Sequence, residues 1–306
     1  MTRILIIKPS SLGDIIHGLL VTESIRQQMD GVEIDWVARD IFAPLVDACD
    51  TVKHVHLFHR GAGFGAYGQL IQDIRDVSYD WVLDMQGLAR SGIITQFSKT
   101  QRSRCVGRRD AREASQLAYG KLIDMPCGRE PHAVDILREF LPALGLQNEL
   151  KGFLTFSAVE SSSELPDEYV LIFPGSRRAE KEWHGFFELS RQLIKDGRIV
   201  VWAGDVSFAG DSEWPKDRFH NLTAKTELAS LPSIVARAQV VICNDSGPMH
   251  LAAAMGKPVL GIFGPTSANR FGPYPLDAPT NHVITAPHGK LERLTVESVH
   301  AAVKPL

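Results

Sequence analysis

One carboxylate near the start of the chain stands where a strand passes into a helix. Asp14 follows an apolar run at residues 4–7, and Pro9, Ser10 and Gly13 interrupt the apolar pattern between them. In an open α/β sheet, such a turn lies at the carboxyl edge of the strands, where ligands bind. We therefore expect Asp14 to face a cleft and accept a proton. The alternative is a helix N-cap, a common role of Asp before an apolar-periodic segment.

A second stretch in the other half of the chain has the pattern of an anion site. Asp245, Ser246 and Gly247 follow an apolar strand and precede a small-residue helix that begins at Pro248 and includes His250. A helix start presents free N–H groups and a favourable dipole to negative charge. The other interpretation is a capped core helix with Asp245 or Ser246 as the cap.

Two further strand ends in the same half offer phosphate-binding groups. Gly175 and Ser176 follow the strand at residues 169–173, and Lys181 stands five residues beyond Ser176. Glycine allows a phosphate to approach the backbone, and lysine supplies a point charge. The fourth stretch, residues 263–266, again joins glycine and a hydroxyl at a strand end. Three strand ends of this kind favour a nucleotide diphosphate, whereas a solvated loop explains each one separately.

Several other enzyme classes lack their motifs in this sequence. No G-x-x-x-x-G-K-[ST] or G-x-G-x-x-G stands between a strand and a helix, which argues against a P-loop NTPase or a dinucleotide enzyme. No H-E-x-x-H and no clustered His or Cys residues indicate a metal, so we expect none. No G-x-S-x-G elbow indicates a serine hydrolase.

Composition limits the compartment and the partners. The chain has 306 residues and a net charge of −3, which argues against a general nucleic-acid binder. Its four cysteines have no C-x-x-C spacing, which suits a reducing compartment. The apolar run at residues 4–7 is too short for a signal peptide, and no stretch approaches about 20 apolar residues. We therefore predict a cytoplasmic protein.

Strand-like and helix-like segments alternate in both halves, which predicts an α/β fold with parallel sheets. A polar run at residues 160–164 separates the halves, giving predicted domains at 1–160 and 161–306 with an interdomain cleft. Residues 61–68 are predicted as a flexible glycine-rich loop, and residues 132–144 as one amphipathic helix. The other predicted helices are residues 15–29, 44–48, 70–76, 90–98, 185–195, 228–238, 248–255 and 297–303.

Residues 99–112 carry six basic side chains. A charge run of this kind is usually a solvated face. Because it lies in the half that carries Asp14, it could instead hold an acidic acceptor through bidentate arginine contacts.

The chain resembles the bacterial ADP-heptose:lipopolysaccharide heptosyltransferases over nearly its whole length, and the opening stretch looks most like heptosyltransferase I. Five stretches in the same order carry the resemblance: residues 8–14, 84–88, 181–183, 245–250 and 263–266.

The resemblance implies a GT-B architecture, with two Rossmann-like domains facing across a cleft. The acceptor would bind mainly to the N-terminal domain and the nucleotide-sugar to the C-terminal domain, and the last helix would pack back on the N-terminal domain. It implies inverting, metal-independent transfer from ADP-heptose to a Kdo-type inner-core acceptor, with peripheral contact at the cytoplasmic face of the inner membrane. No cofactor is expected.

Carried over by position, the resemblance assigns each candidate residue a role. Asp14 matches the general base and Lys181 the phosphate-binding lysine. The donor side comprises Gly175, Ser176, Asp245, Ser246, Gly247 and His250. The acceptor side comprises Ser10, Gly13 and Gln86.

The sequence departs from the family at the nucleoside contact, since residues 202–208 contain no Glu. Two alternatives therefore remain open. The protein could use another nucleotide sugar on the same fold, or it could be a non-catalytic nucleotide-sugar-binding paralogue.

Overall fold

The computed structural model describes residues 1–126, 130–158 and 165–306. The chain divides into two compact units, Met1–Ser157 and Ala158–Leu306. The predicted boundary between residues 160 and 161, and the polar run around it, lie outside the described residues. None of the described helices has the length and apolar character that a bilayer-spanning segment requires.

The sheet of the first unit is formed by parallel strands. They are β1 (Arg3–Ile7), β2 (Glu33–Arg39), β3 (His54–Phe58), β4 (Trp81–Asp84), β5 (Cys105–Arg108) and β6 (Lys121–Ile123). Their order across the sheet is β3-β2-β1-β4-β5-β6. Residues 4–7 of the central strand are completely buried, as expected for a parallel strand covered on both faces.

Within the described part of the first unit, six α-helices accompany this sheet. They are α1 (Leu12–Gln28), α2 (Ala43–Asp47), α3 (Gly63–Arg75), α4 (Ala89–Phe97), α5 (Ala133–Arg138) and α6 (Phe140–Ala143). Residues 15–25 of α1 are all buried, so this helix is a central element of the unit.

The second unit repeats the design. Its parallel strands are β7 (Tyr169–Phe173), β8 (Val200–Trp202), β9 (Phe219–Asn221), β10 (Ala238–Asn244), β11 (Val259–Phe263) and β12 (Asn281–Thr285). Their order is β12-β11-β10-β7-β8-β9. Its helices are α7 (Phe186–Lys195), α8 (Leu231–Ala236), α9 (Gly247–Ala254), α10 (Ala268–Phe271) and α11 (Val296–Val303).

Aromatic side chains fill one face of the second sheet. Trp183 and Phe186 lie edge to face at 5.0 Å, and Trp202 and Trp214 do so at 6.0 Å. The last helix contributes to the same core through buried valines at residues 299 and 303. Its predicted packing on the N-terminal domain stays a prediction.

Both sheets reverse their strand order at one point, and this positions the candidate residues. In the first sheet the reversal lies between β1 and β4, where Ile7 is level with Asp84. In the second it lies between β7 and β10, where Phe173 is level with Cys243. A crevice forms outside the carboxyl ends of the strands at such a switch point.

Two predicted elements are wrong. The predicted loop at residues 61–68 is helical from Gly63, because Leu70 and Ile74 pack against the sheet and extend α3. The predicted helix at residues 132–144 is two helices, α5 and α6. Pro142 has no N–H to donate to the carbonyl of Arg138, which is the last residue of α5.

Candidate functional site

Asp14 lies inside the first turn of α1, which begins at Leu12 and not at residue 15 as predicted. Ser11 is the N-cap, so the alternative role of Asp14 as the cap itself is wrong. One Asp14 oxygen, Oδ2, accepts hydrogen bonds from the Ser11 backbone N–H at 3.0 Å and from the Ser11 hydroxyl at 2.7 Å. The Asp14 side chain is 47% exposed, so it closes the helix start and still faces solvent.

The two neighbours expected to shape this turn lie on either side of the N-cap. Ser10 precedes the helix and is partly buried, whereas Gly13 is the second helical residue. Gly13 is therefore part of the helix and not of the turn that precedes it.

The buried side chain of Lys8 lies between Asp14, the candidate base, and Met85, the residue that follows β4. Nζ of Lys8 lies 3.7 Å from Oδ1 of Asp14 and donates a hydrogen bond to the Met85 carbonyl at 3.2 Å. Burial lowers the pKa of Lys8, while the Asp14 and Asp84 carboxylates oppose that shift. Sequence reasoning did not select Lys8, although it belongs to the same motif.

Asp84 anchors the loop that carries Gln86. It is completely buried and accepts hydrogen bonds from the backbone N–H groups of Gln86 and Gly87, both at 2.9 Å, and from the Tyr119 hydroxyl at 2.6 Å. Burial raises the pKa of Asp84, and these hydrogen bonds counteract the shift. Gly87 has φ +70, and a Cβ there would meet Ala111 at 3.1 Å, so the loop requires glycine.

The backbone N–H of Gln86 donates to Asp84, but the side chain of Gln86 has no comparable anchor within the described part of the chain. Its Oε1 is buried and accepts no hydrogen bond from the described residues. The loop therefore has a backbone held by Asp84 and a buried amide oxygen that is available to a hydrogen-bond donor.

Lys181 and Asp245 form a direct ion pair at the switch point of the second sheet. Nζ of Lys181 donates to Oδ2 of Asp245 at 2.6 Å, and the hydroxyl of Thr266 donates to the same oxygen at 2.7 Å. The side chains of Lys181 and Asp245 are 16% and 7% exposed. The ammonium also lies 5.9 Å from the centre of the Phe271 ring. The structure therefore brings together residues that are 64 and 85 positions apart in the chain.

Asn244 connects the loops around this pair. Its Nδ2 donates to the Pro174 carbonyl at 3.0 Å, and its Oδ1 accepts from the Trp183 backbone N–H at 3.0 Å. Gly175 lies in the loop so tied, where a Cβ would meet the Phe208 ring at 3.1 Å. Asn244 was not selected from the sequence, since only its position at the end of β10 marks it.

The remaining donor-side candidates lie around the start of α9. Ser246 is the N-cap residue, and its hydroxyl donates to the Asn244 carbonyl at 3.1 Å. Gly247 is the first helical residue and is partly buried, and His250 is buried one turn later. Ser176 lies across the switch point, and its backbone N–H donates to Glu182 at 3.4 Å. Pro248 has no N–H and the Met249 N–H donates to the Ser246 carbonyl at 3.2 Å, so it is mainly the positive end of the helix dipole that suits an oxyanion here.

Most of the basic side chains in residues 99–112 contact other groups of the first unit. Arg104 lies 3.5 Å from Asp80, and Arg108 donates to Asp110 at 2.6 Å. Arg109 pairs with exposed Asp124 at 3.0 Å. These contacts are those of a solvated charged face. No group of three or more His, Cys, Asp or Glu side chains with metal-binding geometry occurs among the described residues.

Comparison with known proteins identifies the family. Glycosyltransferase family 9 (heptosyltransferase) matches residues 67–298. Lipopolysaccharide heptosyltransferase 1 of Pseudomonas aeruginosa is 27% identical over 298 residues, covering 89% of this chain and 81% of that protein. Lipopolysaccharide heptosyltransferase 2 of Salmonella typhimurium is 25% identical over 329 residues, covering 98% and 94%. Since relatives of both types match at similar identity, the predicted closeness to heptosyltransferase I stays a prediction.

A solved structure shares the whole fold. The Escherichia coli heptosyltransferase WaaC with ADP superposes with a TM-score of 0.82 at 24% identity, covering 99% of both chains. The predicted α/β fold of the GT-B class is thereby confirmed. Because the family match spans most of the chain and the fold agrees over its full length, this protein belongs to glycosyltransferase family 9, the heptosyltransferases.

Proposed function

We propose that this protein is an inverting heptosyltransferase that moves a heptose from ADP-heptose to a Kdo-type acceptor of the lipopolysaccharide inner core. The observation that carries the proposal is the placement of chemically matched groups at the two switch points. The first unit presents the carboxylate of Asp14, and the second presents the ammonium of Lys181 beside a helix N-terminus.

Asp14 would act as the general base. A sugar hydroxyl is a weak nucleophile at neutral pH, so a positioned carboxylate must accept its proton as the new bond forms. Two observations support this role: the Asp14 side chain is 47% exposed, and the Ser11 hydroxyl donates a hydrogen bond to its Oδ2. Oε1 of Gln86 would accept a hydrogen bond from a hydroxyl of the acceptor sugar.

Lys181 would stabilise the leaving diphosphate. As the bond between the anomeric carbon and the diphosphate oxygen breaks, negative charge grows on the leaving group. The Lys181 ammonium and the helix dipole at the start of α9 would supply positive charge. Asp245 and Thr266 hold that ammonium in place and so act as positioning residues.

The reaction balances in a single displacement. The acceptor oxygen forms a bond to the anomeric carbon on the face opposite the leaving group, and the diphosphate departs with the bonding electron pair. The hydroxyl proton moves to Asp14. One displacement inverts the anomeric centre, and we propose that the lysine supplies the charge without a metal ion. The proposed acceptor is lipid-linked, so transfer would occur at the cytoplasmic surface of the inner membrane.

Product analysis tests this proposal. Purified protein, ADP-heptose and a Kdo-bearing lipid acceptor should release ADP and yield one heptosylated product, with and without EDTA. The anomeric coupling and carbon shift of the product should show inversion relative to the donor. Retention of configuration, or complete loss of transfer with EDTA, would contradict the mechanism.

A second candidate uses another nucleotide sugar. The absence of Glu in residues 202–208, where family members contact the nucleoside, favours testing it. A thermal-shift series with ADP-, GDP-, UDP- and CMP-sugars separates the candidates, since a ligand that binds the native state raises the melting temperature. We expect the largest shift with ADP-heptose. Binding without transfer to any acceptor would instead favour a non-catalytic paralogue.

A further inference from the structure

Lys8 is a charged side chain that the mechanism above does not use. It follows β1 directly and is 3% exposed. Its Nζ lies between two features of the acceptor side, the Asp14 carboxylate at 3.7 Å and the Met85 carbonyl at 3.2 Å. Met85 is adjacent to Gln86, so the lysine contacts both the base and the loop that carries the acceptor-side amide.

A buried ammonium requires compensation from its surroundings. Removing a charge from water is costly unless the charge is paired and hydrogen-bonded. Two carboxylates, Asp14 and Asp84, favour the charged form of Lys8, whereas Arg108 opposes it. Asp84 already accepts hydrogen bonds from Tyr119 and two backbone N–H groups. Asp14 therefore forms the salt bridge with this ammonium, at 3.7 Å.

The two oxygens of Asp14 are held by different partners. Oδ2 accepts both Ser11 donors, and Oδ1 faces Lys8. Such an arrangement fixes the plane of the carboxylate as well as its charge.

We propose that Lys8 is the positioning residue of the general base, holding the Asp14 carboxylate ionised and at a fixed distance from the Met85–Gln86 segment. The expected effect on turnover rests on the proposed function. The coupling between Lys8 and Asp14 is a property of the first unit and can be measured without any substrate.

The coupling has a defined consequence for the pH dependence. An adjacent cation favours the carboxylate form, and an opposite charge within about 4–6 Å lowers a carboxyl pKa by about 1–3 units. Loss of the Lys8 charge should therefore move the titration of Asp14 to higher pH. The acidic limb of the kcat profile should move in the same direction, because transfer needs the carboxylate. Asp84, Arg108 and Tyr119 remain unchanged in the variant and provide a constant background.

Carboxyl NMR provides the test in the full-length protein. The ¹³Cγ resonance of Asp14, assigned with Asp14→Asn, is titrated in the wild type and in Lys8→Met. We expect the midpoint to rise by about one pH unit or more, with a loss of at least about tenfold in kcat below the new midpoint. Lys8→Arg should restore part of this shift because it keeps the charge.

Lys121→Met is the matched control. Lys121 is also a lysine of the first unit, and its Nζ donates to the Ala143 carbonyl at 2.8 Å. Unlike Lys8, it forms no salt bridge with a carboxylate of the described residues. Its loss should leave the Asp14 titration and the kcat profile unchanged.

If Lys8→Met does not fold, titration of the Lys8 amine in Asp14→Asn tests the same coupling. In Asp14→Asn, the Lys8 amine should titrate at lower pH than in the wild type, as followed by the ¹³Cε resonance. An unchanged Lys8 titration in that variant, or an unchanged Asp14 titration in folded Lys8→Met, overturns the proposal. A coupled pair in a protein that transfers no heptose would instead overturn the proposed function and leave this inference standing.

Discussion

Lys181 donates to Asp245 at 2.6 Å, so the acidic residue of the donor side is occupied by the very lysine that should bind phosphate. The same Asp245 oxygen also accepts from Thr266 at 2.7 Å. A carboxylate that receives two donors on one oxygen orients its partners and neutralises part of the lysine charge. The diphosphate would therefore meet a fixed ammonium and not a flexible one, which reduces the ordering cost of binding.

Asp14→Asn should separate catalysis from folding. The amide keeps an oxygen that can accept from Ser11, so the protein should fold, with a melting temperature lowered by loss of the charge that pairs with buried Lys8. Loss of the base should reduce kcat by about 10²–10⁴-fold. Steady-state transfer assays and thermal unfolding measure the two effects. Asp73→Asn is the control, because Asp73 is an exposed helix carboxylate that contacts Gln69 at 2.7 Å. Wild-type turnover in Asp14→Asn would exclude Asp14 as the base.

Lys181→Met should weaken donor binding more than Thr266→Val does. The first change removes the cation, and the second removes only one hydrogen bond to its anchor. Charge-assisted hydrogen bonds contribute about 1.5–3 kcal/mol, so we expect a rise in the donor Kd of about 10–100-fold for Lys181→Met.

Isothermal titration with ADP-heptose measures both donor-side variants. Lys257→Met is the control in the same unit, since its Nζ donates to the Ala236 carbonyl at 2.7 Å near the amino ends of β10 and β11, opposite the carboxyl ends that carry Asp245. Equal losses in Lys181→Met and Lys257→Met would indicate a general effect on stability.

Glu23 should make the stability of the first unit depend on acid pH. Burial opposes its ionisation, but hydrogen bonds from Arg26, Gln27 and Thr51 outweigh burial and lower the pKa of Glu23 below 4.5. The folded-state pKa is depressed, so the carboxylate stabilises the fold above about pH 4.5, and this contribution is lost as pH falls through the folded value.

Hydrogen exchange of the α1 amides measures this effect locally. Glu23→Gln should lower protection at pH 7 by about 1–3 kcal/mol and should approach the wild type as the pH falls below 4. A difference between the two proteins that does not shrink on acidification would show that the loss is steric and not electrostatic.

Glycine-to-alanine substitutions should change stability in opposite directions in helix α3 and in strand β5. Gly65 and Gly68 are helical, and a Cβ at either position has no neighbour within 4 Å. Each change to Ala should therefore stabilise the helix by up to about 1 kcal/mol. Gly107→Ala should do the opposite, because its Cβ would lie 2.2 Å from the Tyr119 ring and displace the hydroxyl that binds Asp84.

Thermal unfolding monitored by circular dichroism compares these variants. Gly107→Ala should lower stability by about 1–3 kcal/mol or more. If the Gly65 and Gly68 variants are destabilised as well, the segment is better described by the flexible loop that the sequence predicts.

Much of the scaffold could be predicted from the sequence. Strand β7 matches its predicted bounds. The sequence also predicts strands at residues 4–7, 240–243 and 258–263, and these bounds differ from those of β1, β10 and β11 by one or two residues, because a buried parallel strand is a continuous apolar run. The short strands β5, β6, β9 and β12 were missed. They contain three to five residues with little periodicity, and pairing with a neighbouring strand decides their conformation.

The residue types at the site were readable from the sequence, since Asp14, Lys181 and Asp245 all follow strands and strand ends bind ligands in this fold class. Their partners were not. That Lys8 contacts Met85, that Asn244 ties two loops together and that Thr266 shares an oxygen with Lys181 depend on strand order and register. Local sequence determines which elements form and where they end. Only the tertiary structure determines which ends become neighbours, because the hydrogen bonds that join them span 61 to 77 positions of the chain.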